Sequence, residues 1–189
     1  MCAAMTTTPT DSVWVHRIND AATWGLRHWL LCANGLVLLY AGLPWLSPLA
    51  RAAGYERTGQ FLFLLYTPLC HQLPERSFHV FGYQVAYCHR CAAMYTSILV
   101  AGLLFGALRR RLTPMSLRVA GLLLLPMLLD GGTHLIDDAL GIGFRGGGDG
   151  VGSLNFALRM LTGLFVGVAV LVTLYPRLER ELHTTLASE

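Results

Sequence analysis

Lysine is absent from this 189-residue chain, and charge of either sign is scarce: Asp, Glu and Arg together make up 13% of the residues, about half the usual share for a soluble domain. The formal charge of +3 rests on arginine alone and is too small and too dispersed for nucleic-acid binding. The opening MCAAMTTTPTDSV lacks the basic and apolar regions of a signal peptide. Residues 1–27 are therefore expected to be a disordered or interfacial tail, with insertion driven by later segments. No HExxH, GxSxG or Walker pattern occurs, which removes the usual signatures of zinc proteases, α/β-hydrolases and P-loop enzymes.

What fills the chain instead is apolar. Hydrophobic residues reach 54% and the mean hydropathy is +0.51, the composition of a membrane protein. A spanning helix needs about 20 apolar residues. Four stretches reach or approach that length: Trp29 to about Leu49, Ala92 to Leu108, Leu117 to Ile136 and Leu154 to Tyr175. A shorter apolar piece, Phe61 to Leu69, is closed by Pro68 and reads as an interfacial or re-entrant half-helix. The expected fold class is thus all-α: an integral membrane bundle of about four spans plus one half-helix. The membrane domain covers 28–176 with a loop at 51–91, and 177–189 form a second tail. Gly102 with Gly106, and Gly163 with Gly167, have the spacing of close helix contacts in lipid.

Arginine placement gives an orientation, since short cytoplasmic loops are enriched in it. The N-terminal segment, the loop between the second and third spans and the C-terminal segment carry Arg17, Arg27, Arg109, Arg110, Arg111, Arg118, Arg177 and Arg180. The opposite side carries Arg51, Arg57, Arg76, Arg90 and Arg145. Both termini are expected in the cytoplasm. The stretch CHQLPERSFHVFGYQVAYCHRC, Cys70 to Cys91, then lies on the outer side, and the polar residues of the third and fourth spans fall at that same end.

Cys88 and Cys91 have the C-x-x-C spacing with which two thiolates grip one metal, and Cys70 with His71 could complete a tetrahedral set. Zinc suits such ligands, though another transition metal could occupy them. A disulfide from Cys70 to Cys88 or Cys91, and a redox-active Cys88–Cys91 dithiol, are the competing readings; the odd number of thiols in the loop favours the metal. Cys32 and Cys2 read as inert; His79 and His89 are within reach of the site in sequence, as minor ligand candidates or as residues simply facing water. In the spans, Asp130, His134 and Asp137 form one helical stripe, and Asn155, Arg159 and Thr162 another. Ionisable groups at membrane depth are costly unless paired or functional, and Asp130 with Arg159 is the natural pair on this spacing. The alternative is that such a pair only pins two helices together.

The combination of CHQ, Arg76-Ser77-Phe78, C-x-R-C, Asp130-Gly131 and Ser153-x-Asn155-x-x-x-Arg159-x-x-Thr162-Gly163 resembles a widespread family of small bacterial and archaeal multi-spanning proteins classed as a domain of unknown function. The resemblance runs from about Tyr66 to Gly167 and implies a membrane location and a shared polar site, without a reaction. The chain departs from that pattern at Ala92 and Ala93, where a glycine usually follows the cysteine pair, and at His134, where glutamine is common.

On the residues themselves, the leading expectation is a membrane-embedded enzyme. Its Cys/His centre holds zinc, Asp130, His134, Asn155 and Arg159 act as catalytic groups, and Arg159 takes an anionic lipid-type head group. The glycine-rich segment Gly143 to Ser153 could bring backbone N–H groups to the same anion or be a plain connector. The alternative is a non-enzymatic subunit of a membrane complex, or an ion or redox-cofactor carrier, in which metal or disulfide serves the fold. The bilayer is the expected partner, with a membrane complex or homo-oligomer possible and nucleic acid excluded.

Overall fold

The structure, a computed structural model, describes residues 9–146 and 148–187. Cys2 and the first residues of the expected tail lie outside them. Among the described residues four helices have the length and composition to cross a membrane: α2 (Trp29–Ala52), α4 (His89–Leu108), α5 (Leu117–Leu140) and a continuous helix over Leu154–Ala187 that opens with α6 (Leu154–Ala169). Helix α6 continues through a π-helical stretch, Val170–Leu174, into α7 (Tyr175–Ala187). The short helix α3 (Glu56–Leu65) precedes a hairpin of β1 (Ser77–Val80) and β2 (Tyr83–Cys88).

The half-helix covers 56–65 rather than 61–69, because the chain leaves helical geometry ahead of Pro68. Within the segments expected as a disordered or interfacial tail (1–27) and a C-terminal tail (177–189), residues 9–27 form the helix α1 (Pro9–Arg27) and residues 177–187 belong to α7. A window that averages hydropathy passes over amphipathic helices of this kind. The hairpin was not foreseen: Phe81 and Gly82 both have positive φ (52° and 81°), the signature of a two-residue primed turn.

Helix contacts explain the small residues. A Cβ at Gly163 would lie 2.7 Å from Ala93 Cβ and 2.9 Å from the Met94 backbone, and one at Gly167 would lie 2.5 Å from the Ser97 backbone. The bare backbone of α6 therefore rests directly on α4, where Ser97 Oγ lies within hydrogen-bond distance of the carbonyls of Met94 (2.8 Å) and Gly163 (3.0 Å). Gly167→Leu should cost about 3 kcal/mol or more, since the obstacle is backbone and cannot swing away. Gly121→Leu, with open space at its Cβ, should cost nothing measurable; denaturation in detergent micelles compares the two.

Of the two prolines in α2, Pro44 and Pro48, the first is compensated. Pro44 lacks the N–H that would bond the Tyr40 carbonyl, and Tyr66 Oη donates to that carbonyl instead (2.8 Å). This satisfies a backbone acceptor that lipid could not serve. The same bond anchors the end of α3 to α2, while Ser47 Oγ donates to Gly59 O (2.9 Å) farther along. At the opposite end of the bundle, Trp29, Phe105 and Tyr175 pack together and Trp29 Nε1 donates to Glu179 (2.7 Å).

Candidate metal centre and its charged frame

Three segments deliver the thiols. Cys70 follows the end of α3, with its N–H bonded to Tyr66 O (3.0 Å). Cys88 ends β2 and is the N-cap of α4, and Cys91 sits in the first helical turn. The three sulfurs lie within 4.8 Å of one another, and Cys88 N–H donates to Cys70 Sγ (3.2 Å). Zinc–sulfur bonds of about 2.3 Å imply sulfur pairs about 3.8 Å apart around one tetrahedral ion, so a small inward shift would close this set on a metal. The donor chemistry fits a soft or borderline ion. Val85, Tyr87 and Ala92 are buried against the trio, and Trp45, Phe78 and Val80 pack around them.

All four described cysteines, Cys32, Cys70, Cys88 and Cys91, carry free thiols. The Cys88 thiol is pushed far down, first by hydrogen bonding with Cys70 and then with Cys91, against the opposing effect of burial; the N–H groups of Cys91 and Arg90 at the helix start add to this. The Cys70 thiol is pushed up, chiefly because it supplies the proton to Cys88.

His71 does not join them. It is exposed and lies outside the three-thiol group, and the chain then turns at Gln72, whose φ is 49°. The residue of CHQ that organises the site is Gln72. Its Nε2 donates to Phe63 O and Ala86 O (both 2.8 Å), its Oε1 accepts from Thr67 Oγ1 (2.9 Å), and its carbonyl accepts from Gln84 Nε2 (2.6 Å). It therefore sews the Cys70 loop to the strand that ends in Cys88. His89, expected to face water, is instead 1% exposed, with Phe78 and Phe156 against its ring at 4.5 and 4.8 Å.

Arg90 points the other way from the thiols, into a network of charges. Asp130 is paired with Arg90 (2.5 Å) and with Arg145, and Arg159 with Asp149 (2.5 Å). The natural partner inferred for Asp130 is thus wrong: Arg159 belongs to the glycine-rich loop and Asp130 to two other arginines. His134 lies between the pairs, with Nε2 accepting from Arg159 Nη2 (3.2 Å) and standing 4.0 Å from Asp130; this puts its ring proton on Nδ1. Arg76 of the RSF stretch grips Asp138 with two bonds (2.7 and 2.9 Å) and Asp149 with a third (2.7 Å). Asp130, His134, Asn155 and Arg159 are all buried.

The loop after α5 is tied down rather than loose. Asp137 accepts from the N–H groups of Phe144 and Arg145 (3.0 and 3.1 Å), and Asn155 Nδ2 donates to the carbonyls of Arg145 and Gly148 (2.8 and 3.0 Å). Burial alone would raise the Asp149 carboxyl, but hydrogen bonds from Arg159 and Arg76 outweigh it and hold it below the usual carboxylate value. The Asp138 bonds, followed by those of Asp149, raise the Arg76 guanidinium despite burial. Sequence reasoning missed Asp149, Arg76, Arg90 and Arg145 as partners. One signal was available: Asp149 is the lone carboxylate in a glycine-rich segment followed ten residues later by a span arginine.

A family profile described as "Predicted membrane protein (DUF2085)" matches residues 70–173, which hold the thiols and the whole charged frame. The chain is 35% identical over 157 residues to "Uncharacterized protein MJ1492" of Methanocaldococcus jannaschii, covering 79% of this chain and 92% of that protein. It is 30% identical over 104 residues to an "Uncharacterized protein" of Methanothermobacter thermautotrophicus, covering 55% of this chain and 82% of the relative. No solved structure matches the chain. With the profile spanning more than half its length and four apolar helices to cross the bilayer, the chain belongs to the DUF2085 family of membrane proteins.

Proposed function

We propose that this protein is a membrane-embedded metal–thiolate protein in which Cys70, Cys88 and Cys91 hold one transition-metal ion, zinc by donor chemistry. One position would remain for water or an incoming ligand. The observation that carries the proposal is the convergence of buried Cys70, from the loop after α3, on the half-buried Cys88 and Cys91 at the start of α4. Three protein ligands leave a zinc ion open, whereas purely structural sites close it with four. Bound there, the ion would supply Lewis acidity to a group entering the fourth position.

Asp130, His134, Asn155 and Arg159 serve in this reading as the frame beneath the centre. Arg90, between Cys88 and Cys91 in sequence, is locked to Asp130, so the first turn of α4 is fixed where the two thiols need it. An enzyme holding an anionic lipid head on Arg159 would first have to displace Asp149 from a guanidinium that is 3% exposed. That favours the non-enzymatic carrier or subunit reading over the lipid enzyme.

Cobalt substitution tests the site. Co(II) added to the reduced apo-protein should give thiolate-to-metal charge-transfer bands that Zn(II) bleaches, and Cys91→Ser should remove nearly all of their intensity, because the two remaining thiolates do not hold the ion. Octahedral, weakly absorbing cobalt in the parent chain would contradict a thiolate site.

The arginine count supports placing the centre at the outer face, with both termini in the cytoplasm. A thiol reagent that does not cross membranes should label Val151→Cys in intact cells above the parent background, and Pro114→Cys only after permeabilisation. The reverse pattern would move the centre to the cytoplasmic side.

A further inference from the structure

A cavity of about 650 Å³ lies between α2, α3 and α4, and its walls include Tyr40, Tyr66, Tyr95, Leu39, Leu69 and Ile98. Its size is that of small-molecule sites, about 300–1,000 Å³. We propose that it binds the ring head of a membrane-dissolved quinone. This goes beyond the metal reading and does not depend on it.

The chemistry of the wall selects the ligand. No lining residue carries a charge, so a phosphate or carboxylate head would be buried without a counter-ion, at a cost that excludes it. The polar content is phenolic. Tyr66 Oη is committed to Tyr40 O, while the rings of Tyr40 and Tyr95 are in edge contact and can turn their O–H groups to acceptors on a guest. The rings stand edge-on, Tyr40 to Tyr95 with centroids 4.6 Å apart and Tyr40 to Tyr66 at 5.2 Å. Flat aromatic walls with phenolic donors suit a flat ring bearing carbonyl acceptors. An acyl chain could fill the aliphatic part of the wall but has no acceptor for the phenolic O–H groups.

Position supplies the rest. Leu39 and Leu69 are each 59% exposed on a membrane-spanning bundle, so the cavity is continuous with the lipid-facing surface and a guest can enter sideways from the bilayer. At its other end it borders the thiol centre. Leu69 precedes Cys70, and Tyr95 lies four residues after Cys91, on the same face of α4. The cavity of about 680 Å³ on the other side of α4, between it and α6, is larger but has no phenol in its wall.

The test uses the full chain in detergent micelles, with a benzoquinone carrying a decyl tail as the probe and quenching of intrinsic fluorescence as the readout. The expected result is saturable binding of about one equivalent. The double variant Tyr40→Phe, Tyr95→Phe, which keeps the rings, should weaken it roughly tenfold, the worth of one or two neutral hydrogen bonds. Leu43→Trp, which fills the cavity, should abolish it, and oleic acid at equal concentration should not displace the probe. Unsaturable quenching, an unchanged isotherm in Leu43→Trp, or displacement by oleic acid would overturn the proposal, the last reducing the cavity to a lipid groove. Metal content measured in the same samples separates the two readings. Quinone binding by a chain without metal would sink the metal site alone; bound metal without quinone binding would sink this site alone.

Discussion

Asp130→Leu is expected to destabilise the protein by about 3–5 kcal/mol, because it strands two buried-side guanidiniums without a counter-charge. Asp130 is 7% exposed and bridges Arg90 on α4 to Arg145 in the loop after α5. Its loss unlocks the first turn of α4 and the loop together. The informative control is which second change rescues it. Replacing Arg90 and Arg145 by methionine in the same chain should recover most of the loss, since an apolar cluster of similar volume is often as stable as the ions it replaces. Replacing Arg159 instead should make matters worse, because Asp149 would then lose one of its two arginine partners and keep only Arg76. Denaturation in micelles reads both outcomes, and rescue by the Arg159 change would contradict the pairing.

Cys88→Ser and Cys91→Ser should each remove nearly all bound metal and lower the denaturation midpoint, while Cys32→Ser, within α2 and outside the thiol group, should do neither. A serine hydroxyl stays protonated and binds a borderline ion weakly, so one substitution leaves two thiolates that cannot hold it. Metal affinity is also folding free energy where the site forms only in the native state. Here that condition holds, because the ligands come from the end of α3, the end of β2 and the first turn of α4. Gln72→Ala should weaken metal retention without removing a ligand. It opens the bonds to Phe63 and Ala86 that hold the Cys70 loop against β2.

The spans were legible because length and apolarity are properties of single segments. α2, α4, α5 and α6 all begin within a few residues of where the sequence puts them. The thiol group was legible in part, through C-x-x-C spacing, which fixes two ligands on one helical turn. His71 misled because adjacency in sequence says nothing of direction: it is exposed beside a buried Cys70. The ion pairs were the least legible. Helical stripes identify which faces are polar, but the choice between Arg159 and Arg90 for Asp130 depends on how α4, α5 and α6 are rotated against one another. That rotation is set by glycine contacts such as Gly163 on Ala93. The hairpin was hidden by its length: four and six residues inside a cysteine-rich loop carry too little alternation to stand out.

Elemental analysis of the protein purified without added metal, beside a count of free thiols before and after chelation, tests the metal centre most directly. The account predicts about one zinc-type ion per chain and three loop thiols that are reduced but shielded until the ion is removed. A metal-free protein in which only one of Cys70, Cys88 and Cys91 reacts as a free thiol would contradict it, and would make the trio a disulfide with an odd partner.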